Sequence, residues 1–338
     1  MPMWKWIARG LGLPAFAAGA LAAAYAAGPP LGSGGVAPLD IRAVTVPLNR
    51  SDPSADRVGR LRYLGGIDLS SSDIRFGGLS GMLWEPACNR LLVVSDTGIW
   101  VALETLEEGD LLRGIRSAWI APLLDDKGNA RTSKVDADAE SLARTADGAT
   151  WVFFEQRHRG ERYPGLTACT PETLATAPDL EFVPDVAKDW PRNGGMEAVA
   201  TNGDRIVAIS EEAPGKTGGR MGFSSERGQS ILTFDWQNPD GHSPSAMDQL
   251  DGDTMLVLHR RVGLLTGFTV VLSEGRPGVP GDVPRELARL AAPYTVDNME
   301  ALAVRKEGER RFVYMLSDNN FIPLQRTILL KFELLPEK

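Results

Sequence analysis

The apolar positions of this chain fall in short strand-length runs, and these runs recur in one layout. A loop of small residues leads to a Ser or Glu and a short apolar run; a turn follows, then a second apolar run ending in polar residues. Five segments share this layout: Phe76–Gly98, Asp138–Arg159, Gly194–Pro214, Ser243–Arg261 (the most degenerate) and Asp297–Phe321. Runs of this length bounded by turn residues read as strands. Asp147-Gly148, Asn202-Gly203 and Asp251-Gly252 each sit between the two runs of a segment, where a tight hairpin needs residues that tolerate positive φ.

Superposing the segments makes Ser80, Glu140, Glu197, Ser245 and Glu300 equivalent, 48 to 60 residues apart. A repeat of this length with several strands per unit predicts a β-propeller. Further strand-like runs supply the third and fourth strands of the units: IWVALETL, RSAWIAPL, ILTFDW, LLTGFTVVL and TILLKFEL. One stretch, Pro284–Pro293 (PRELARLAAP), reads instead as a short helix in a loop. The last unit ends without a fourth strand, and RLRYLGGIDLSSS, Arg60–Ser72, is predicted to complete it and close the ring, removing free edges. The expected fold is all-β, a single propeller of five or six four-stranded blades; a sixth would draw on IRAVTVPL and the long connections.

In such a ring the start of the innermost strand and the end of the second strand lie at one mouth of the central channel. That brings together seven carboxylates, Asp96, Glu140, Glu155, Glu197, Glu211, Glu300 and Asp318, as the candidate metal site. So many like charges repel one another unless protonated or neutralised, and an oxygen-liganded divalent cation, calcium above all, is the natural partner. Arg157, His259, Arg260, Asn320 and Arg326 lie in the same loops and are the candidates for binding a small anionic or ester substrate. A second reading of the positions Ser80, Glu140, Glu197, Ser245 and Glu300 is structural: Glu or Ser at the start of an inner strand can cap backbone N–H groups of neighbouring blades. His259 has two readings too, a general base or the partner of a nearby carboxylate. No catalytic residue is assigned. The Gly78-Leu79-Ser80-Gly81 turn lacks the spacing of a nucleophile elbow, and PGKTGGR, Pro214–Arg220, lacks that of a phosphate loop.

Composition narrows the partners. With 338 residues, 43% of them hydrophobic, and a net charge of −8, the chain can bury a large core but offers no general basic surface for nucleic acid. Lys5 and Arg9 precede an apolar stretch, Leu11–Ala27, with Ala24-Tyr25-Ala26 as a small-residue site. Residues 1–27 therefore read as a signal peptide or an N-terminal anchor, 28–59 as a linker and 60–338 as the propeller. A periplasmic or secreted monomer is expected, with no membrane contact beyond that anchor. Cys88 and Cys169 could form a disulfide or remain free thiols.

The motifs FGGLSGMLWEPACNRLLVVSD, DAESLA with WVFFEQ, GGMEAVA, and DNMEALAV with LSDNNFIPLQRTILLKFEL resemble the phytase-like domain family, described by its esterase-like activity of phytase. The resemblance runs from Phe76 to the C-terminus. It implies an exported β-propeller and hydrolysis of phosphate esters. The similar β-propeller phytases hold several calcium ions with acidic residues at the channel mouth; here arginines stand where a lysine-rich phosphate pocket is expected. Three functions follow as alternatives: a calcium-dependent phosphoric-ester hydrolase, a non-catalytic propeller that binds a ligand or envelope partner, and a lactonase-like calcium hydrolase, which the Glu ring with Asn193 and Asn298 would also suit. Fold alone does not choose among them.

Overall fold

Each repeated segment forms the first two strands of its own antiparallel sheet. A computed structural model describes residues 34–226 and 229–337, so the expected signal peptide or anchor at 1–27 lies outside the described residues. There are five sheets among these residues, and they are the five blades of a propeller. The innermost strands are Leu79–Glu85, Ala139–Arg144, Ala198–Asn202, Ser243–Asp251 and Met299–Glu307. Each packs against the next, and the fifth packs against the first, so the ring is closed.

The second strands are apolar with little alternation. Thr150–Phe154 is buried at every position, and Arg90–Ser95 at all but the first. A blade is covered by a neighbour on both faces, so both faces of its middle strands must be apolar. The core is accordingly divided into five clusters, one at each seam between blades. Gly148, Gly203 and Gly252 at the inner hairpin turns have φ of +82°, +64° and +53°, the conformation that their Asp-Gly and Asn-Gly pairs predict.

Leu61–Ser70 lies beside Thr327–Leu334 as the fourth strand of the last blade, which is the closure that the sequence predicts. IRAVTVPL makes no sixth blade: Arg42–Thr45 is an additional outer strand on Leu61–Ser70. The segment expected to be a linker thus contributes sheet from residue 37, since Ala37–Pro38 also pairs with the outer strand of the first blade.

PRELARLAAP is not helical. Arg285–Leu290 is the outer strand of the fourth blade, paired with Gly267–Gly275. Leu287, Ala288 and Leu290 are buried in the seam with the last blade, and tertiary pairing overrides the local helix preference. The described residues contain one four-residue α-helix, Lys134–Ala137, and two 3₁₀ turns. No helix among them is long and apolar enough to cross a membrane. Cys88 and Cys169 are joined in a disulfide with Cα atoms 5.5 Å apart.

Candidate functional site

The equivalence of Ser80, Glu140, Ser245 and Glu300 has a backbone cause. In each of the four blades the register between the first and second strands slips by one residue, and the residue left unpaired is the one at this position. Such a bulge re-aims a side chain out of the strand's regular alternation. Glu197 comes just before the first paired residue of its blade, Ala198.

The strand-two ends obey an equally strict rule. The backbone N–H of Asp96 donates to the carbonyl of Gly78, that of Glu155 to Asp138, that of Glu211 to Gly195 and that of Asp318 to Asn298. In every case the acceptor lies two residues before the equivalenced Ser or Glu. In the fourth blade the corresponding residue, opposite Ser243, is Arg260. Four blades therefore place an acid at this ladder position and one places a guanidinium.

The seven carboxylates named from sequence form one electrostatic unit, joined by an eighth, Asp138. Burial pushes the Glu140 carboxyl well above its ordinary range, and repulsion from Asp138, Glu155 and Glu197 adds to it. Burial and Glu211 do the same to Glu197, and burial with Glu300 and Asp96 to Asp318. Burial raises Glu155 to about 7. Asp96 and Glu300 are also raised by burial, with Lys134 and Arg260 respectively opposing the shift.

Among the described residues, two cations pair with the ring carboxylates. Lys134, on the short helix between the first two blades, lies 2.7 Å from Asp96 and 2.6 Å from Asp138. Arg260 Nη2 lies 3.1 Å from Glu211, 3.1 Å from Glu300 and 3.5 Å from Glu197, and its Nη1 donates to Asn298 Oδ1 at 2.7 Å. Burial opposes the charge of Arg260, but Glu300, Glu197 and Glu211 outweigh it and raise its pKa.

In one sector only Asp138 has an ion-pair partner among the described residues, Lys134. Asp138, Glu140 and Glu155 each bring one carboxylate oxygen within 4.8 Å of the others. Glu155 Oε1 accepts from the N–H groups of Gly194 and Gly195 in the next blade, which fixes that carboxylate from behind. Asp96 Oδ1 is buried with no hydrogen-bond partner among the described residues. An all-oxygen, carboxylate-rich set with spare lone pairs fits a hard divalent cation such as calcium.

The two serines of the series do bond to neighbouring blades, but as donors to carbonyls and not as caps of N–H groups. Ser80 Oγ donates to the carbonyl of Ala139 and Ser245 Oγ to that of Met299, at 3.0 Å in the latter case, each stitching one inner strand to the next. Among the glutamates it is Glu155 that caps neighbouring N–H groups.

The expected substrate residues scatter. Arg157 points to the outer strand of its own blade, 3.1 Å from Glu181, beside a polar cavity of about 690 Å³ that Arg131, Asp136 and Glu161 also line. Arg326 lies 3.5 Å from Asp297 and 3.7 Å from Asp68, outside the ring. His259 is fully buried: it accepts from Trp236 Nε1 at 3.0 Å, and burial lowers its pKa to about 3, so it faces neither a ring carboxylate nor solvent. Alternation along the strand explains it, since Arg260 takes the channel side. Asn320 abuts the ring, its N–H donating to Asp318 Oδ1 at 2.8 Å. Lys134 and Asp138 were not expected. Asp138 had a signal, standing two residues before Glu140 as Asn298 does before Glu300; Lys134 lies outside the repeat and had none.

A model of the family described as "Phytase-like: Esterase-like activity of phytase" matches residues 74–321. A search of curated protein sequences found no match. Among solved structures, the chain is similar to a virginiamycin B lyase from Staphylococcus aureus bound to quinupristin (10% identity, 82% of this chain and 81% of that one, TM-score 0.37). It is also similar to a streptogramin B lyase (9%, 89% of each chain, 0.39) and to U3-55K (10%, TM-score 0.39). The U3-55K match covers 77% of this chain but only 62% of that one. These likenesses are of shape and say nothing about activity.

Proposed function

We propose, for a chain that belongs to the phytase-like family, a calcium-dependent ester hydrolase whose active site is the acidic mouth of the channel, with phosphoric esters as the substrate class. The observation that carries this reading is the trio Asp138, Glu140 and Glu155, three carboxylates that converge with only Asp138 ion-paired, to Lys134 at its edge. A hard divalent cation held there would supply Lewis-acid polarisation of an ester oxygen and acidify a water.

The chain's own residues supply the rest. Glu155, held by Gly194 and Gly195, keeps one ligand oxygen in a fixed orientation. Glu140, which makes no hydrogen bond or ion pair to any described residue, is free to adjust to the cation. Lys134 and Arg260 hold the rest of the ring against its own repulsion. An anionic ester meets a mouth of net negative charge until the cation is bound, so metal precedes substrate.

A second reading, a neutral ester such as a lactone, is favoured by one observation: Arg260 is committed to three glutamates, and Arg157 and Arg326 lie outside the ring. None of these three arginines is then free to face a phosphate. The reading as an exported monomer draws on the Cys88–Cys169 bond, which persists in oxidising compartments, and on the charged and apolar N-terminal run.

The test is thermal unfolding and turnover of aryl phosphates and lactones, in EDTA and with calcium chloride, for the parent and Glu155→Gln. Calcium should raise the midpoint and support turnover in the parent alone. A calcium shift without turnover would assign a binding module, and no shift in the parent would remove the metal from the reading.

A further inference from the structure

Arg260 stands where the other four blades carry Asp96, Glu155, Glu211 and Asp318, at the same rung of the same ladder. The substitution is of charge as well as of residue. Around its Nη2 atom gather oxygens of Glu197, Glu211 and Glu300, from two blades, at 3.1–3.5 Å. Asn298 adds a carbonyl oxygen on Nη1 and also donates from Nδ2 to Glu300 at 2.8 Å. Glu197 is only 8% exposed, and this guanidinium is its ion-pair partner. Three carboxylates around one donor atom, with an amide oxygen close by, is the oxygen set that a divalent cation takes.

We propose that Arg260 is a built-in cation filling a second metal position, so that the ring accepts one divalent cation, at Asp138, Glu140 and Glu155, and none at Glu197, Glu211 and Glu300. The count of one rests on the functional reading above; the occupancy of the second position by Arg260 does not. A guanidinium cannot leave or exchange, and its charge persists at any accessible pH. This half of the ring is therefore neutralised permanently, while the other half responds to calcium.

The experiment is isothermal titration of calcium chloride into the metal-free protein, with terbium luminescence as a second readout, for the parent, Arg260→Gln and Arg260→Lys. The expected stoichiometry is one for the parent, two for Arg260→Gln and one for Arg260→Lys, which keeps the charge. In a second background, Glu140→Gln should bind none and Glu140→Gln with Arg260→Gln should bind one.

An unchanged count in a folded Arg260→Gln protein overturns the proposal. If the parent binds none and Arg260→Gln binds one, the proposal stands and the calcium reading of the first trio falls. Where Arg260→Gln does not fold, Glu300→Gln decides the matter. It should leave the parent's single site in place with affinity changed less than about tenfold, because Glu300 belongs to the position that Arg260 fills. Loss of that site on Glu300→Gln would mean one shared site and would overturn the proposal.

Discussion

Glu140 and Glu155 bring their carboxylates within 4.8 Å of each other across one blade, yet only Glu155 is held, by two backbone N–H groups of the next blade. The asymmetry follows from position. Glu155 ends a strand and reaches the Gly194-Gly195 turn, whereas Glu140 is a bulge residue with no hydrogen bond or ion pair among the described residues and is repelled by Asp138, Glu155 and Glu197. A rigid ligand and an adjustable one, both destabilised as free anions, make the site tense without a cation and relaxed with one.

Stability of the metal-free protein should fall as pH rises from about 4.5 to about 7. Burial raises Glu155 from 4.5 to about 7, so in this window the folded state holds a proton that the unfolded chain has released. Stability is then fully present below the unfolded value and lost on the way up to the folded one, by roughly 3 kcal/mol from this group. Glu140, Glu197 and Asp318 shift in the same direction. Surface acids act oppositely: hydrogen bonds from Arg75, Arg310 and Arg311 lower Asp73, Asp110 and Asp251, whose contribution is lost at still lower pH. Urea midpoints in EDTA should therefore peak near pH 5, and millimolar calcium should flatten the decline above it. A midpoint in EDTA that climbs steadily to pH 8 would contradict the buried ring.

Glu140→Gln should stabilise the metal-free protein while abolishing its response to calcium. The substitution keeps the shape and removes an unpaired charge from among Asp138, Glu155 and Glu197, a gain of about 1–2 kcal/mol at pH 8. Paired melts with EDTA and with calcium measure both effects. Destabilisation in EDTA would mean that Glu140 has a structural partner.

Much of the fold was legible because a propeller repeats itself: the small-residue loop, the Ser or Glu, and the Asp-Gly or Asn-Gly turn recur at a spacing that sequence shows. The closure by Arg60–Ser72 followed from counting strands. What the repeat did not encode was harder to read. Arg285–Leu290 has a helix-like composition, and only its burial between the last two blades makes it a strand. The acids at the mouth were legible as a set, but Lys134 enters from a connecting helix. His259 and Arg260 are sequence neighbours that alternation sends in opposite directions, a distinction that needs the register of the strand.

Ser80→Ala and Ser245→Ala should each cost about 1–2 kcal/mol and leave calcium binding unchanged. Both hydroxyls are buried and donate to a carbonyl of the adjoining inner strand, Ala139 or Met299, so removal leaves a buried acceptor unsatisfied. Because the serines occupy the same bulge as Glu140 and Glu300, the comparison separates what the bulge does for the ring from what the carboxylate does in it. Urea titration gives the first and calorimetry the second. A serine variant that loses calcium affinity as strongly as Glu140→Gln would show that the two cannot be separated.

Cys88→Ser with Cys169→Ser should lower stability substantially without altering the calcium response. The bond closes a loop with a sequence separation of 81, for which the chain-entropy relation gives about 4–5 kcal/mol. Cys88 lies in the turn after Leu79–Glu85, and Cys169 follows Arg159–Tyr163. Both strands run away from the mouth, so the bond ties the first two blades together at the far end of the channel. The ring carboxylates keep their backbone anchors whether or not that end is tied. The calcium-induced rise in melting temperature should thus match the parent's even as both melts shift downward. A loss of calcium affinity in the double variant would instead mean that the mouth depends on how firmly the first two blades are held at the opposite face.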